Sequence, residues 1–239
     1  MRRLGAGLGA LLRSVAEEPQ VALVRRGRIL HPYRRRQFHS FGRDSFIHKP
    51  NWIYGASKIA VGSDCVLLHG IWLSAERPSW RSEGPVIVIG DRVGVRPYCT
   101  ISATESIVIE DYVTISAFSS VIDSDHTFGA GGTVLDQPMV TEAIRIGEGT
   151  WIGERTAVLR GANIGVQCAI GSNSVVRGEI PDYSVAVGVP ARVVGSTREG
   201  SLLSEGWESY ARRRADERQA PREGRPSTRP AGPAGPDGS

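Results

Sequence analysis

From Ile146 onward an aliphatic residue stands at every sixth position: Ile146, Ile152, Val158, Ile164, Ile170 and Val176. Gly follows four of them, at Gly147, Gly153, Gly165 and Gly171. A small or short residue comes four positions after each of the first five: Thr150, Thr156, Ala162, Cys168 and Ser174. A helix turning every ~3.6 residues cannot keep every sixth residue on one face, and a strand alternates with period ~2. A triangular coil with three flat sides of six residues can. Each side points one aliphatic residue at the axis, the small residue also faces inward, and stacked coils pair as short parallel strands around one core. The Gly after the aliphatic is expected to allow the sharp corner.

The same register runs upstream. Val61, Leu67 and Leu73 form one triplet, Ile89, Val95 and Ile101 a second, and Ile109, Ile115 and Val121 a third. With the two triplets after Ile146 this predicts five coils. Cys65, Cys99 and Cys168 each fall four residues after an axial aliphatic, so they are expected to be small inward-facing residues and not nucleophiles. Their scatter also excludes a disulfide framework or a paired-cysteine zinc site. Two stretches interrupt the array, residues 74–86 and residues 123–145, and only the second contains a histidine. Long excursions from a regular scaffold are where binding and catalysis usually sit.

Charge divides the chain. The net charge is +4, but residues 1–50 carry +8, residues 196–239 carry +1 and the repeat-bearing body carries −5. An acidic body argues against a nucleic-acid-binding domain, so no nucleic-acid partner is expected. There is no run of about 18 apolar residues of the kind that crosses a bilayer. The start of the chain places Leu4, Leu8, Leu11 and Leu12 on one face of an amphipathic helix. That helix can pack on the body or, with Arg25, Arg26, Arg28 and Arg34 to Arg36, touch an anionic membrane surface. The expected organisation is a basic, partly helical extension over 1–50, a repeat domain over 51–195 with its loop at 123–145, a short helix over 196–219 and a disordered Arg/Pro/Gly-rich tail over 220–239.

The segment from Ile144 to Gly195, with its TWIGERTAV and GVPARVVG motifs, resembles the hexapeptide-repeat O-acetyltransferases of the sugar and antibiotic type. The resemblance covers roughly residues 40–195. It implies an all-β, left-handed parallel β-helix with short helical extensions, a handedness opposite to ordinary crossover connections. It also implies a cytoplasmic homotrimer with acetyl-CoA in the groove between neighbouring prisms, and no metal. Its general base corresponds to His126, in the sequence DSDHTF. An imidazole can take a hydroxyl proton near neutral pH as the oxygen attacks a thioester. Asp123 or Asp125 could orient that imidazole, or both could be loop-turn residues. Trp151, Ser172, Arg177 and Arg192 match positions along the coenzyme, Arg177 standing where the family often has Thr-Lys. Tyr98 matches loosely a position on the acceptor side. With His69, the residues Trp72 and Trp80 could form a wall for stacking a sugar, or pack the 74–86 loop onto the prism.

These readings point to acetyl-CoA-dependent transfer to a hydroxyl of a saccharide or glycosylated metabolite. N-acetyl transfer to an amino sugar and a catalytically inactive scaffold are the alternatives. A metal-dependent hydratase on this fold would need three His ligands, two of them close together, and the repeats hold only His69 and His126.

Overall fold

The computed structural model describes residues 36–76, 83–129 and 132–199. The helices expected near either terminus fall largely outside the described residues, as do the tail over 220–239 and Trp80. Short parallel strands succeed one another around three faces. The first face takes Ser40–Phe41, Ile59–Val61, Ile87–Ile89, Ile107–Ile109, Ile144–Ile146, Asn163–Ile164 and Glu179–Ile180, in that spatial order. The second runs from Phe46–Ile47 through Val66–Leu67, Gly94–Val95, Thr114–Ile115, Trp151–Ile152 and Ala169–Ile170 to Ser184–Gly188, and ends on the antiparallel strand Ala191–Ser196. The third stacks Trp52–Tyr54, Trp72–Ala75, Thr100–Ala103, Ser120–Ile122, Ala157–Leu159 and Val175–Val176. One strand on each face makes a coil, and each coil pairs in register with the next: Ile109 with Ile146, Ile115 with Ile152, Val121 with Val158. This is the parallel β-helix expected from the six-residue period.

The prism begins earlier than the boundary at residue 51. Phe41, Ile47 and Ile53 keep the six-residue spacing, and their strands form a complete coil ahead of the five triplets. An aromatic residue occupies the first axial slot of that coil, and glycine follows only Phe41. In the later coils the axial residues are almost wholly buried, including Ile89, Ile101, Ile109, Ile146 and Ile170. Each such side chain contributes about 1.5–3 kcal/mol on leaving water.

The structure revises why glycine follows the axial residue. The corners are made two positions later, by a left-handed residue: Asp64, Arg92, Tyr98, Tyr112, Phe118, Gly149, Arg155, Gln167 and Asn173 all have positive φ. Glycine at the position after the aliphatic is instead required by the next coil. A Cβ on Gly147 would lie 2.5 Å from the carbonyl of Gly165, and one on Gly153 would lie 2.5 Å from the Ser172 amide nitrogen.

The small inward residue is also more than small. Ser45 donates to the Gly62 carbonyl at 2.6 Å, Ser119 to Gly153 at 3.0 Å, Thr150 to Gly165 at 2.9 Å and Thr156 to Gly171 at 3.2 Å. The thiols of Cys65, Cys99 and Cys168 do the same to the carbonyls of Gly90, Ser116 and Pro181, at 3.0 to 3.1 Å. A hydroxyl or thiol here thus ties each coil to the one above it and satisfies a carbonyl that points inward. All three cysteines are buried, and burial pushes the thiols of Cys65 and Cys99 up to about 11. Inward-facing and un-ionised, they serve the ladder.

Candidate functional site

Between Ile122 and Ile144 the chain leaves the prism at the edge joining its third and first faces. There Ser124–His126 pairs antiparallel with Met139–Thr141, setting His126 opposite Met139. The tip includes a single 3-10 turn, Val134–Asp136, closed by reciprocal Thr133 and Asp136 contacts. Those two hydrogen bonds hold the Asp136 carboxyl below its usual range.

Two devices fix this hairpin to the coils. Asp123 is fully buried at its base, and its carboxylate accepts the amides of Thr104 at 2.7 Å and of Glu105 and Ser106 at 2.8 Å. Burial raises its pKa despite these three hydrogen bonds, which pull the other way. One residue along, Asp125 Oδ2 accepts from Arg160 Nε at 2.7 Å, and the same guanidinium reaches Glu142 on the returning strand at 3.5 Å. Both aspartates are thereby engaged with the scaffold. Among the described residues no hydrogen bond ties either carboxylate to the His126 ring, so the orienting role considered for Asp123 or Asp125 has no counterpart in this arrangement. His126 itself is exposed, as are Phe128 and Leu135 farther out on the loop, at 86% and 88%.

The residues expected along the coenzyme divide between faces. Trp151 lies half-exposed on the second face, opposite the edge that carries the hairpin, and its indole N–H donates to Ser116 Oγ at 3.0 Å. Its ladder neighbours, Thr114 and Ala169, are both small. Ser172 stands at the border of the same face, accepting the Glu154 amide at 3.1 Å. Arg192 is exposed on the antiparallel strand that ends that face, opposite Val187. Arg192 lies three strand spacings from Trp151, about 14 Å across the strands. It is also offset along them, because Trp151 aligns with Ala169 and Val185 whereas Arg192 pairs with Val187. Arg177, in contrast, follows the last strand of the third face, so it is not gathered with the other three.

On the acceptor side Tyr98 occupies a left-handed corner between the second and third faces. Its ring stacks on Phe118 at 5.3 Å, meets His69 edge-on at 5.2 Å and lies over Gly70, where a Cβ would come within 2.5 Å of it. Arg155 continues the column above Phe118, 5.7 Å from the ring centre. Trp72, on the third face, stacks on Trp52 at 5.5 Å. Phe118 and Trp52 were not singled out from sequence. The signal was present for Trp52, because it precedes the axial Ile53 as Trp72 precedes Leu73 and Trp151 precedes Ile152. Among the described residues no group of three or more His, Cys, Asp and Glu could hold a metal ion, and no helix is long and apolar enough to cross a membrane.

No protein-family model matches the chain. In sequence it is similar to a probable acetyltransferase of Mycobacterium tuberculosis, 40% identical over 133 residues that make up 56% of this chain and 41% of the relative. It is also similar to WbbJ of Escherichia coli, a putative lipopolysaccharide biosynthesis O-acetyl transferase, 33% identical over 52% of this chain and 65% of the relative. The chain thus spans less than two thirds of the length of either. In structure it is similar to a mutant of AntD, an N-acyltransferase of Bacillus cereus solved with dTDP and coenzyme A. The TM-score is 0.61 at 17% identity, over 79% of this chain and 97% of that one. The resemblance is therefore met by relatives named as acetyltransferases and by a neighbour that shares the fold.

Proposed function

We propose that this chain is an acetyl-CoA-dependent O-acetyltransferase acting on a saccharide hydroxyl, with its active site formed between copies of a homotrimer. The observation that carries the reading is the hairpin of residues 123–145. Its base is locked by a buried carboxylate and an arginine, and it carries an exposed imidazole. The named relatives supply the acyl-transfer chemistry.

In this reading His126 accepts the proton of the acceptor hydroxyl while the oxygen bonds to the thioester carbonyl carbon. The tetrahedral oxyanion is held by a backbone N–H of the coil wall. Its collapse breaks the C–S bond, and the imidazolium returns the proton to the departing thiolate, giving acetylated acceptor and free coenzyme A. Trp151, Ser172 and Arg192 would line the coenzyme, with Arg192 near phosphate. Within one prism His126 and Trp151 lie on opposite sides. A hairpin with Phe128 and Leu135 at its tip has apolar surface to lay against a second copy, whose second face would bring its own Trp151 to the histidine.

Thiol release from acetyl-CoA against a panel of saccharide acceptors tests the reading. His126→Ala should lower kcat by ~10²–10⁴-fold with acetyl-CoA still bound. Mixing His126→Ala with Trp151→Ala subunits should restore part of the activity, because some interfaces then pair two intact residues. Equal thiol release by wild type and His126→Ala removes the base. Absence of acetyl-CoA binding leaves a β-helix scaffold. Amino sugars in the panel separate O- from N-transfer.

A further inference from the structure

The third face has a step in it. Its outward column runs, in register from coil to coil, Trp52, Trp72, Thr100, Ser120, Ala157. Two large indoles, 48% and 41% exposed and stacked with 22° between their planes, are followed at once by three short side chains. The core does not need these indoles, because the axial residue of each strand, Ile53 or Leu73, is the one packed inward. Beside the step the parallel column runs Tyr54, Ser74, Ser102, Ile122 and Leu159, so it is polar at the two coils flanking the step. Ser74 Oγ donates to Glu76 Oε1 at 2.6 Å, and Ser102 Oγ donates to the same oxygen at 3.4 Å. The strand that carries Ser120 is also the strand from which the His126 hairpin departs, and the Asp123 amide donates to the Ser102 carbonyl at 3.4 Å. The short side chains beyond Trp72 therefore lie beside the base of the hairpin.

Its chemistry selects an occupant. A pyranose ring has an apolar C–H face that lies flat on an aromatic ring, and a rim of hydroxyls that pair with carboxylates and with Ser or Thr hydroxyls. A partner protein covering this face would meet hydroxyls and a carboxylate where the centre of an interface is normally apolar. Resting on the saccharide reading above, we propose that Trp72, backed by Trp52, forms with Thr100, Ser102, Ser120 and Glu76 a subsite for a sugar unit remote from the reacting hydroxyl. The acceptor is then a glycan chain and not a free monosaccharide. Two strand spacings, about 10 Å, separate Trp72 from the hairpin strand, roughly the length of two linked pyranose units.

Binding of glucose, N-acetylglucosamine, maltohexaose, cellohexaose and chitohexaose, measured by calorimetry on the full chain, tests the proposal. At least one hexasaccharide should bind roughly tenfold or more tightly than its monosaccharide. Trp72→Ala should bring it down to the monosaccharide level, Trp72→Tyr should keep most of the gain, and acetyl-CoA binding should be unchanged in both. Equal binding of hexasaccharide and monosaccharide, no binding by any of the five, or full retention in Trp72→Ala overturns the subsite. So does a smaller oligomer for Trp72→Ala in light scattering, which would make the indole pair a contact between copies. The two readings fail separately. Trp72-dependent glycan binding without thiol release sinks the acetyl transfer, whereas acetyl transfer indifferent to Trp72→Ala sinks only the subsite.

Discussion

Arg160 gives the sharpest test of how the loop histidine is held. Its side chain is 20% exposed and follows the strand Ala157–Leu159, so Arg160→Ala removes no axial core residue. What it removes is the 2.7 Å bond to Asp125 and the 3.5 Å contact to Glu142, one on each arm of the hairpin. A charge-assisted hydrogen bond contributes about 1.5–3 kcal/mol. Asp125 and Glu142 are 42% and 61% exposed, and solvent screens pairs of that kind, which lowers the figure to about 1–2 kcal/mol. The loss falls on docking of the hairpin and not on the prism. Amide exchange in Ser124–His126 and Met139–Thr141 should accelerate roughly tenfold, a factor worth about 1.4 kcal/mol, while amides at Ile146 and Ile164 keep their wild-type protection. Arg160→Lys should recover only part of the effect, because a point charge cannot fork between two carboxylates. Turnover should fall with the docked population and KM for acetyl-CoA should stay constant, since Trp151 and Arg192 are on another face. Hairpin amides exchanging at the wild-type rate in Arg160→Ala would refute the clamp. Equal acceleration across all coils would show that Arg160 supports the whole prism instead.

The remaining expectations concern the scaffold. Gly147→Ala should cost about 1–3 kcal/mol in urea unfolding, because its Cβ meets the next coil's backbone. Gln167→Gly, at a left-handed corner, should fall within about 1 kcal/mol of zero, relief of strain offsetting the added freedom of the unfolded chain. With the thiols of Cys65 and Cys99 near 11, only about one in a thousand is ionised at pH 8. A disulfide reagent should leave the folded protein unlabelled and titrate all three cysteines in guanidinium, and rapid labelling of the native state would contradict the burial. Asp123→Ala leaves three amides without their acceptor and should lower stability by about 2–4 kcal/mol. Because burial raises its carboxyl in the folded chain, Asp123 contributes most below the ordinary value of 3.8 and less as pH climbs toward the raised one. The stability gap between wild type and Asp123→Asn should therefore be smaller at pH 7 than at pH 4, and a gap that widens with pH would count against that sign.

The prism could be read from the sequence because its axis imposes one rule per side. Only an aliphatic side chain fits the slot at Ile146, Ile152 or Val158, and only a short side chain, most often one able to reach the next coil's carbonyl, fits four residues later. Cys65, Cys99 and Cys168 satisfy that second rule as well as Thr150 does, which is why their spacing predicted their burial. The first coil was hidden because Phe41 satisfies the slot without being aliphatic. Glycine after the axial residue mimics a corner in the sequence because the period alone does not distinguish a residue that turns the chain from one pressed against the next coil. In the hairpin the position of His126 was legible, since an interruption in a strict repeat announces itself. The partners of its neighbours were not. Asp123 meets amides 17 to 19 residues back, and Asp125 meets an arginine 35 residues ahead. Those separations become contacts only once coil stacks on coil and the 123–145 excursion is set aside. The same folding of distance explains the Trp pair. Trp52 and Trp72 are 20 residues apart, which here means one coil, so aligning the sequence by coil, and not by motif, brings the two indoles together. Residues that act in this fold are thus found by their column. The aromatic column ending at Trp72 and the hairpin departing two coils later on the same face are the pair of columns that a substrate would have to bridge.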